Sequence, residues 1–326
     1  FNVSKFIASM YARCWPVTLA CLSLGITTSI AVVLFRPEHS SSLKVGLEEH
    51  DGESGLASLQ TRIPRQLVLT GKPATLEEMP DNVRNNVELT LALNRDLRMR
   101  WFGDSACRDY INDHFGEELV HIFEREPRGS FRGDICRTAV LAREGGFYTD
   151  LDVQWQVPLT ELLDQSTTFV SAFTADGAIL NAVIASEPNS TVMAEVLHAI
   201  QKWYGGYRLN PAEDHTNSEW MGPVTMLRGI VSVMRHDCPG SSLQDRRGQL
   251  QWNCGSHSFR LFEERALQCS LRGSVECPPA RADSTFLGTK FGIFAPGAER
   301  KLVAWPRFAA CDTWGCRGGG WDLHHV

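Results

Sequence analysis

The chain has 326 residues, 43% of them hydrophobic, so it can bury a sizeable core in one large folded domain. Its formal net charge of -6 excludes the global basic field that concentrates nucleic acids by counterion release. We therefore expect no nucleic-acid partner.

The first apolar segment is long enough to cross a membrane. Residues 17–35 carry no charge, and a helix of that length rises about 28 Å, close to the hydrocarbon thickness of a bilayer. We expect a cytoplasmic tail at 1–16, a transmembrane signal anchor at 17–35 and a Ser-, Gly- and Glu-rich stem at 36–60. A buried helix or a cleaved signal peptide is the alternative for the apolar segment.

Strands and helices alternate in the remainder, 61–326. The pattern predicts strands at 63–70, 98–102, 147–149 and 168–173, and helices at 81–93, 106–115, 133–143, 177–185 and 191–204. This alternation predicts an α/β domain with a single mixed, mostly parallel sheet flanked by helices.

Cysteines are concentrated in the last part of the chain. Six of the ten lie within 238–326, where the pattern is irregular as far as residue 282. Their spacings contain no CxxC pair, which favours disulfides in an oxidising lumen over a zinc site. The sequon Asn189-Ser190-Thr191 fits the same lumenal location.

An acidic pair follows one of the predicted strands. Asp150 and Asp152 come directly after residues 147–149, at the end of a strand where α/β domains bind ligands. Two carboxylates two positions apart on extended chain point to one side and can share a hard divalent cation, Mn²⁺ or Mg²⁺. Such a cation stabilises a departing diphosphate. A solvated turn is the alternative, because two acids alone are a weak signal.

A second charged pair precedes the acids. Asp134 and Arg137 are three residues apart on a predicted helix and share a face. They are either a surface ion pair, or a carboxylate and a guanidinium that face sugar hydroxyls and phosphate oxygens.

Together these motifs resemble glycosyltransferase family 32, the DxD sugar-transferase family that includes initiation-specific α-1,6-mannosyltransferases and inositol-phosphoceramide mannosyltransferases. The resemblance covers roughly residues 63–234. Its core is the Asp-x-x-Arg helix followed by Gly145-Gly146-Phe147-Tyr148-Thr149-Asp150-Leu151-Asp152. Further matches are Ile63-Pro64 with Thr70 and Lys72, Asn181-Ala182-Val183-Ile184-Ala185 before Pro188, and Met221-Gly222-Pro223-Val224.

The resemblance implies a GT-A-like nucleotide-diphospho-sugar transferase fold and transfer with retention, which gives an α-linked product. It implies that Asp150 and Asp152 are the catalytic pair and bind the metal. His325, which looks like the start of a C-terminal segment of the family, is the third metal ligand that we predict, with a solvated tail as the alternative. The residues predicted to bind the donor sugar or nucleotide are Leu69, Thr70, Asp134, Arg137, Gly145, Gly146, Tyr148, Asn181, Gly222 and Pro223.

The donor implied by the family is GDP-mannose, with a UDP-sugar as the alternative. The acceptor is expected to be a glycan or a glycolipid, and the enzyme a single-pass type II protein of the Golgi or ER membrane. Many members carry His and Trp where this chain has Val68 and Gly71, which leaves the nucleobase contacts open. Two other classes remain: a haloacid-dehalogenase-type phosphatase, which Gln154 disfavours, and a catalytically silent lectin-like relative.

Overall fold

The structure is a computed structural model that describes residues 61–205, 221–267, 290–296 and 301–306. The predicted anchor, the stem, His325 and four of the C-terminal cysteines lie outside these residues. Within them, no helix combines the length and the apolar character that a bilayer crossing requires.

The described residues form ten strands and six α-helices. The strands are β1 (Gln66–Thr70), β2 (Arg98–Phe102), β3 (Gly146–Thr149), β4 (Val153–Trp155), β5 (Phe169–Phe173), β6 (Ile179–Ser186), β7 (Gln251–Cys254), β8 (His257–Leu267), β9 (Lys290–Phe294) and β10 (Leu302–Pro306). The helices are α1 (Asp81–Leu93), α2 (Asp104–Phe115), α3 (Glu117–Arg125), α4 (Gly129–Glu144), α5 (Thr191–Tyr204) and α6 (Met221–Asp237). Short 3-10 turns occupy Leu76–Glu78, Leu159–Leu162 and Gln244–Arg246.

The strands form one mixed sheet in the order β2-β1-β3-β6-β5-β8-β9-β10-β4, with β7 paired to β8. The α/β prediction is confirmed, but the mostly parallel sheet is wrong. Among the described strands three pairings are parallel and six antiparallel. Two of the antiparallel pairings arise from a tight turn after β5, closed by the bond from the Thr174 amide to the Ala178 carbonyl at 3.0 Å, which returns the chain as β6 between β5 and β3.

Residues 177–185, predicted as a helix, are therefore mostly strand β6. This short run is apolar except for Asn181, and such runs do not distinguish a buried strand from a helix by periodicity. Its pairing with β3 on one side and β5 on the other decides the conformation. The region after residue 238, predicted to be irregular, contains the β7–β8 hairpin.

The directions of the strands define the edge at which a site can form. β1, β2, β3, β5 and β8 all run the same way, so their carboxyl ends meet at one edge, and β6 begins there. α1 covers one face of the sheet, where Leu67 and Leu69 are buried. α2 to α6 cover the other, where Val68 is buried. α4 lies in this layer with residues 133–142 buried, so its polar side chains are carried into the interior.

Two disulfides join described residues. Cys238 pairs with Cys254 and ties α6 to β7, as the C-terminal cysteines predicted. Cys107 pairs with Cys136, a bond that the sequence pattern did not reveal. This second disulfide ties α2 to α4 directly beside Arg137.

Candidate active site

Asp150 lies in the turn between β3 and β4, and one of its oxygens is held by two donors. Arg137 Nη1 donates to Asp150 Oδ1 at 2.8 Å, and the Tyr148 hydroxyl donates to the same oxygen at 2.7 Å. The Arg137 guanidinium also lies over the Tyr148 ring, 4.1 Å from its centroid. Within the described part of the chain, Asp150 Oδ2 accepts no hydrogen bond, so the carboxylate is oriented and keeps one oxygen for a ligand.

Arg137 is the centre of the network and only 5% exposed. It also donates to the Asn181 carbonyl at 2.8 Å and to the Gly133 carbonyl at 3.2 Å, and its Nη2 lies 3.3 Å from Asp134 Oδ1. Burial disfavours the charge, but Asp150 and Asp134 outweigh it and keep the pKa of Arg137 above its ordinary value. The pair predicted from the helix is thus a buried ion pair and not a surface one.

Asp134 contacts two segments that are distant in sequence, the start of β6 and the first turn of α6. Asn181, near the start of β6, donates from Nδ2 to Asp134 Oδ1 at 2.6 Å. Burial raises the pKa of Asp134 to about 7, because it outweighs the charge of Arg137, and the charge of Asp150 adds to it. The Asp134 carboxyl therefore binds a proton more readily than an exposed aspartate does.

The first turn of α6 closes this corner. A Cβ atom at Gly222 would lie 1.9 Å from Asn181 Nδ2 and 2.7 Å from Asp134 Oδ2, so only glycine allows the helix to approach. Pro223 follows in the same turn, where a backbone N–H has no partner within the helix. The Gly-Pro segment thus brings the positive end of the α6 dipole to the carboxyl of Asp134.

Asp152 has no side-chain partner within the described residues. Burial, followed by the charge of Asp150, raises its pKa to about 7. Asp150 Oδ2 and the Asp152 carboxylate are two hard oxygen ligands of the kind that Mn²⁺ and Mg²⁺ prefer, and a cation would offset their repulsion. The described residues contain no cluster of three metal-ligating side chains. Within the described residues, Asp150 and Asp152 are therefore the two side chains that fit a divalent cation.

Asn86 on α1 supports the acid pair and was missed from the sequence. Its Nδ2 donates to the Leu151 carbonyl at 2.9 Å and to the Val153 carbonyl at 2.8 Å, on either side of Asp152. The side chain is 1% exposed, on the apolar face that also carries Val83. A polar residue on the buried face of an amphipathic helix is the signal that indicates such a role.

The two predicted residues of the first strand differ in their positions. Thr70 ends β1, and its Oγ1 lies 3.4 Å from the Tyr148 hydroxyl oxygen, so it belongs to the network around Asp150. Leu69 is buried under α1, where it lines a narrow space beneath Asp150. It therefore forms part of the apolar floor.

Gly145 and Gly146 lie away from the acids, at the opposite end of β3. Four residues of strand place Gly146 about 13 Å from Asp150. Both have positive φ, +68° and +106°, and a Cβ atom would lie 2.5 Å from the Ser186 carbonyl oxygen and 2.5 Å from the Gln66 side chain, respectively. The tight connection from α4 to β3 accounts for these glycines, and the structure does not place them beside a donor at Asp150.

Comparisons of the sequence with known proteins find glycosyltransferases. Residues 80–169 match a family described as the glycosyltransferase sugar-binding region containing the DXD motif. This segment holds Asn86, Asp134, Arg137 and both acids. An uncharacterized glycosyltransferase, L373, of Acanthamoeba polyphaga mimivirus is 22% identical over 224 residues, which cover 68% of this chain and 79% of that protein.

Solved structures with similarity to this chain include two glycosyltransferases. PaToxG glycosyltransferase has a TM-score of 0.41 and 16% identity, covering 58% of this chain and 74% of its own. Mouse xyloside xylosyltransferase 1 in its apo form has a TM-score of 0.29 and 10% identity, and the match covers 60% of this chain and 96% of that protein. The family match and the viral relative support glycosyltransferase activity for this chain.

Proposed function

We propose that this protein is a metal-dependent, retaining glycosyltransferase that moves a hexose from a nucleoside diphosphate sugar to a glycan or glycolipid. The proposal rests on which oxygens of Asp150 and Asp152 accept hydrogen bonds and which do not. Arg137 and Tyr148 saturate one oxygen of Asp150, while its other oxygen and the whole Asp152 carboxylate accept no side-chain hydrogen bond in the described residues. These oxygens are hard ligands that a divalent cation could share with the diphosphate of a nucleotide sugar.

The residues around the acids have separable roles in this proposal. A bound Mn²⁺ or Mg²⁺ would supply positive charge to the departing diphosphate. Arg137 neutralises Asp150 and keeps it in place, and Asn86 fixes the turn that presents Asp152. Asp134 and Asn181 present a carboxyl and an amide side by side, which suits the hydroxyl groups of the transferred sugar.

Retention follows from the resemblance to family 32. In that reaction the bond between the anomeric carbon and the diphosphate oxygen breaks, the acceptor oxygen bonds to the same face, and the acceptor proton passes to the diphosphate. Asp134 is the one further carboxyl in the described cluster, and its Oδ1 is engaged by Asn181 and Arg137. This engagement favours binding of the sugar over nucleophilic attack on it.

We propose GDP-mannose as the donor, on the family resemblance, with a UDP-hexose as the alternative. We also propose a type II anchor at residues 17–35 and a lumenal catalytic part in the Golgi or ER. The buried Cys107–Cys136 disulfide supports an oxidising compartment. Asn189 is exposed at the turn before α5, where a sequon glycan is accessible.

The test uses the full-length chain purified in detergent. GDP-mannose, UDP-galactose and UDP-N-acetylglucosamine are supplied with Mn²⁺, with Mg²⁺ or with EDTA, and sugar transfer and release of nucleoside diphosphate are measured. We expect activity that requires the cation and is lost in Asp152→Asn. The control is Asp96→Asn, which removes an exposed carboxylate paired with Arg65 at the opposite edge of the sheet. Activity unchanged by EDTA, or full activity in Asp152→Asn, would refute the metal role.

A further inference from the structure

A second polar cluster, centred on Glu126, precedes α4. Glu126 is buried, and its carboxylate is saturated. Arg128 donates from Nε to Oε1 at 2.7 Å, from Nη2 to Oε2 at 3.0 Å and from its backbone N–H to Oε1 at 2.9 Å. The Tyr204 hydroxyl, at the end of α5, donates to Oε2. One carboxylate thus fixes the side chains of Arg128, just before α4, and Tyr204, at the end of α5.

The packing of the helices places this cluster next to Asp134. On α5 and α6, Glu195 bonds Ser232, and Val196 packs against Gly229, so the two helices run antiparallel. From the Val196–Gly229 contact, Tyr204 lies eight residues towards the end of α5, and Met221 lies eight residues back towards the start of α6. Tyr204 therefore lies opposite the first residue of α6.

That first residue directly precedes Gly222, which packs against Asp134. Packed helix axes lie about 8–10 Å apart, so Tyr204 borders the corner of Gly222 and Asp134. The pKa of Asp134 is consistent with this proximity: burial raises it, and the charge of Glu126 contributes in the same direction. The side chains of Glu126, Arg128 and Tyr204 therefore form a wall beside Asp134, the residue that faces the transferred sugar in the proposed function.

The chemistry of this wall suits a neutral ligand. The Arg128 side chain is 51% exposed, and its guanidinium lies over the Phe131 ring at 3.6 Å. Tyr204 is partly exposed and keeps lone pairs on its hydroxyl. The Arg128 charge is neutralised by Glu126, so the wall offers hydrogen-bonding groups and the partly exposed ring of Tyr204 without net charge. A pyranose uses both features, whereas a phosphate requires an uncompensated cation.

We propose that Arg128 and Tyr204, held in place by Glu126, form the acceptor subsite, and that the acceptor is a neutral glycan. This inference rests on the proposed glycosyltransferase function and names its acceptor. Glu126 is a positioning residue in it, because its carboxylate is saturated by the other two.

The experiment separates acceptor binding from donor binding in the full-length chain. Methyl α-mannoside, methyl β-galactoside and methyl β-N-acetylglucosaminide are compared as acceptors with inositol 1-phosphate, in the presence of Mn²⁺ and the active donor. The variants are Tyr204→Phe, which keeps the ring, and Arg128→Ala, at an exposed side chain. The control is Arg65→Ala, which removes an exposed arginine at the far edge of the sheet.

We expect transfer to at least one methyl glycoside. In both variants the KM for that acceptor should rise at least 10-fold, while the Kd for the Mn²⁺ complex of the nucleoside diphosphate, measured by calorimetry, stays within twofold. Arg65→Ala should change neither constant. Thermal unfolding of each variant shows that it is folded.

Three results would overturn the inference: transfer to inositol 1-phosphate alone or to none of the probes, an unchanged acceptor KM in both variants, or a parallel rise of acceptor KM and nucleotide Kd. Absence of Mn²⁺-dependent nucleoside diphosphate binding in the wild type is a different result. It would refute the proposed function itself, and with it the acceptor assignment.

Discussion

Replacing Asp150 or Asp152 by asparagine should abolish metal-dependent activity in both cases but change stability in opposite directions. Asp150→Asn removes the charge that pairs with the buried guanidinium of Arg137 at 2.8 Å. Asp134, at 3.3 Å, remains as a weaker partner. We expect Asp150→Asn to lower the free energy of unfolding by about 2 kcal/mol, less than for a fully buried pair, because the Asp150 side chain is 28% exposed.

Asp152→Asn should instead stabilise the metal-free protein. Burial and the charge of Asp150 raise the pKa of Asp152 from 3.8 to about 7. At about 1.4 kcal/mol per pKa unit, this shift corresponds to an upper bound of about 4 kcal/mol. Solvent screens a partly exposed carboxylate, so we expect a gain of about 1–2 kcal/mol.

The stability that Asp152→Asn gains over the wild type should increase with pH. Below the unfolded pKa of 3.8, Asp152 is protonated in both states, and asparagine has no advantage. Between 3.8 and about 7 the unfolded chain releases the proton first, so the stability of the wild type falls as the pH rises. Above the folded pKa the full penalty is present. The difference between Asp152→Asn and wild type should therefore be larger at about pH 8 than at about pH 5.

Urea unfolding in EDTA at these two pH values measures the effect, with Asp96→Asn as a control for an exposed carboxylate. Added Mn²⁺ should then stabilise the wild type and leave both motif variants unchanged, because a ligand stabilises only the state that binds it. If Asp152→Asn were less stable than wild type at pH 8, or if its gain were the same at both pH values, the electrostatic argument would be wrong.

The contacts around the acid pair predict three further outcomes. Asn86→Ala removes the donor to two buried carbonyls, so the Kd for Mn²⁺, measured by calorimetry, should rise at least 10-fold; Thr90→Val on the same helix face is the control, and an unchanged Kd would exclude a positioning role. Gly222→Ala should lower kcat/KM roughly 100-fold by displacing the Asn181 amide, and should also lower the Tm because the added Cβ disrupts a close contact; a fully active variant would contradict that contact. Replacing Cys107 and Cys136 together by alanine should lower stability by about 3–4 kcal/mol, as expected for a disulfide that spans 29 residues, and reducing agent should lower the Tm of the wild type but not of this variant.

Local sequence by itself determined several elements and the acidic motif. Helices 81–93 and 191–204 and strand 98–102 have the predicted bounds. In each, the apolar spacing and the flanking residues point to the same conformation, so neighbours along the chain are sufficient. The position of Asp150 and Asp152 after a short buried strand is local in the same sense, and it was predicted correctly.

The tertiary structure decided the strand at Ile179–Ser186 and the mixed directions of the sheet. The same apolar run is compatible with a helix or a buried strand, and its two partner strands select between them. It also decided that Gly145 and Gly146 serve a tight connection, because the atoms that exclude a Cβ there belong to other strands and their connections.

Only the tertiary structure decided which partner each group of the site takes. Arg137 shares a helix face with Asp134, yet it also bonds Asp150 in the turn after the next strand, and Asn86 reaches carbonyls 65 and 67 residues away. Such bonds form where a helix is set against the end of a sheet, and that placement depends on the packing of the whole core. The spacing of residues along the chain specifies which chemical groups are available, but it carries no information on which distant groups will lie within hydrogen-bonding distance.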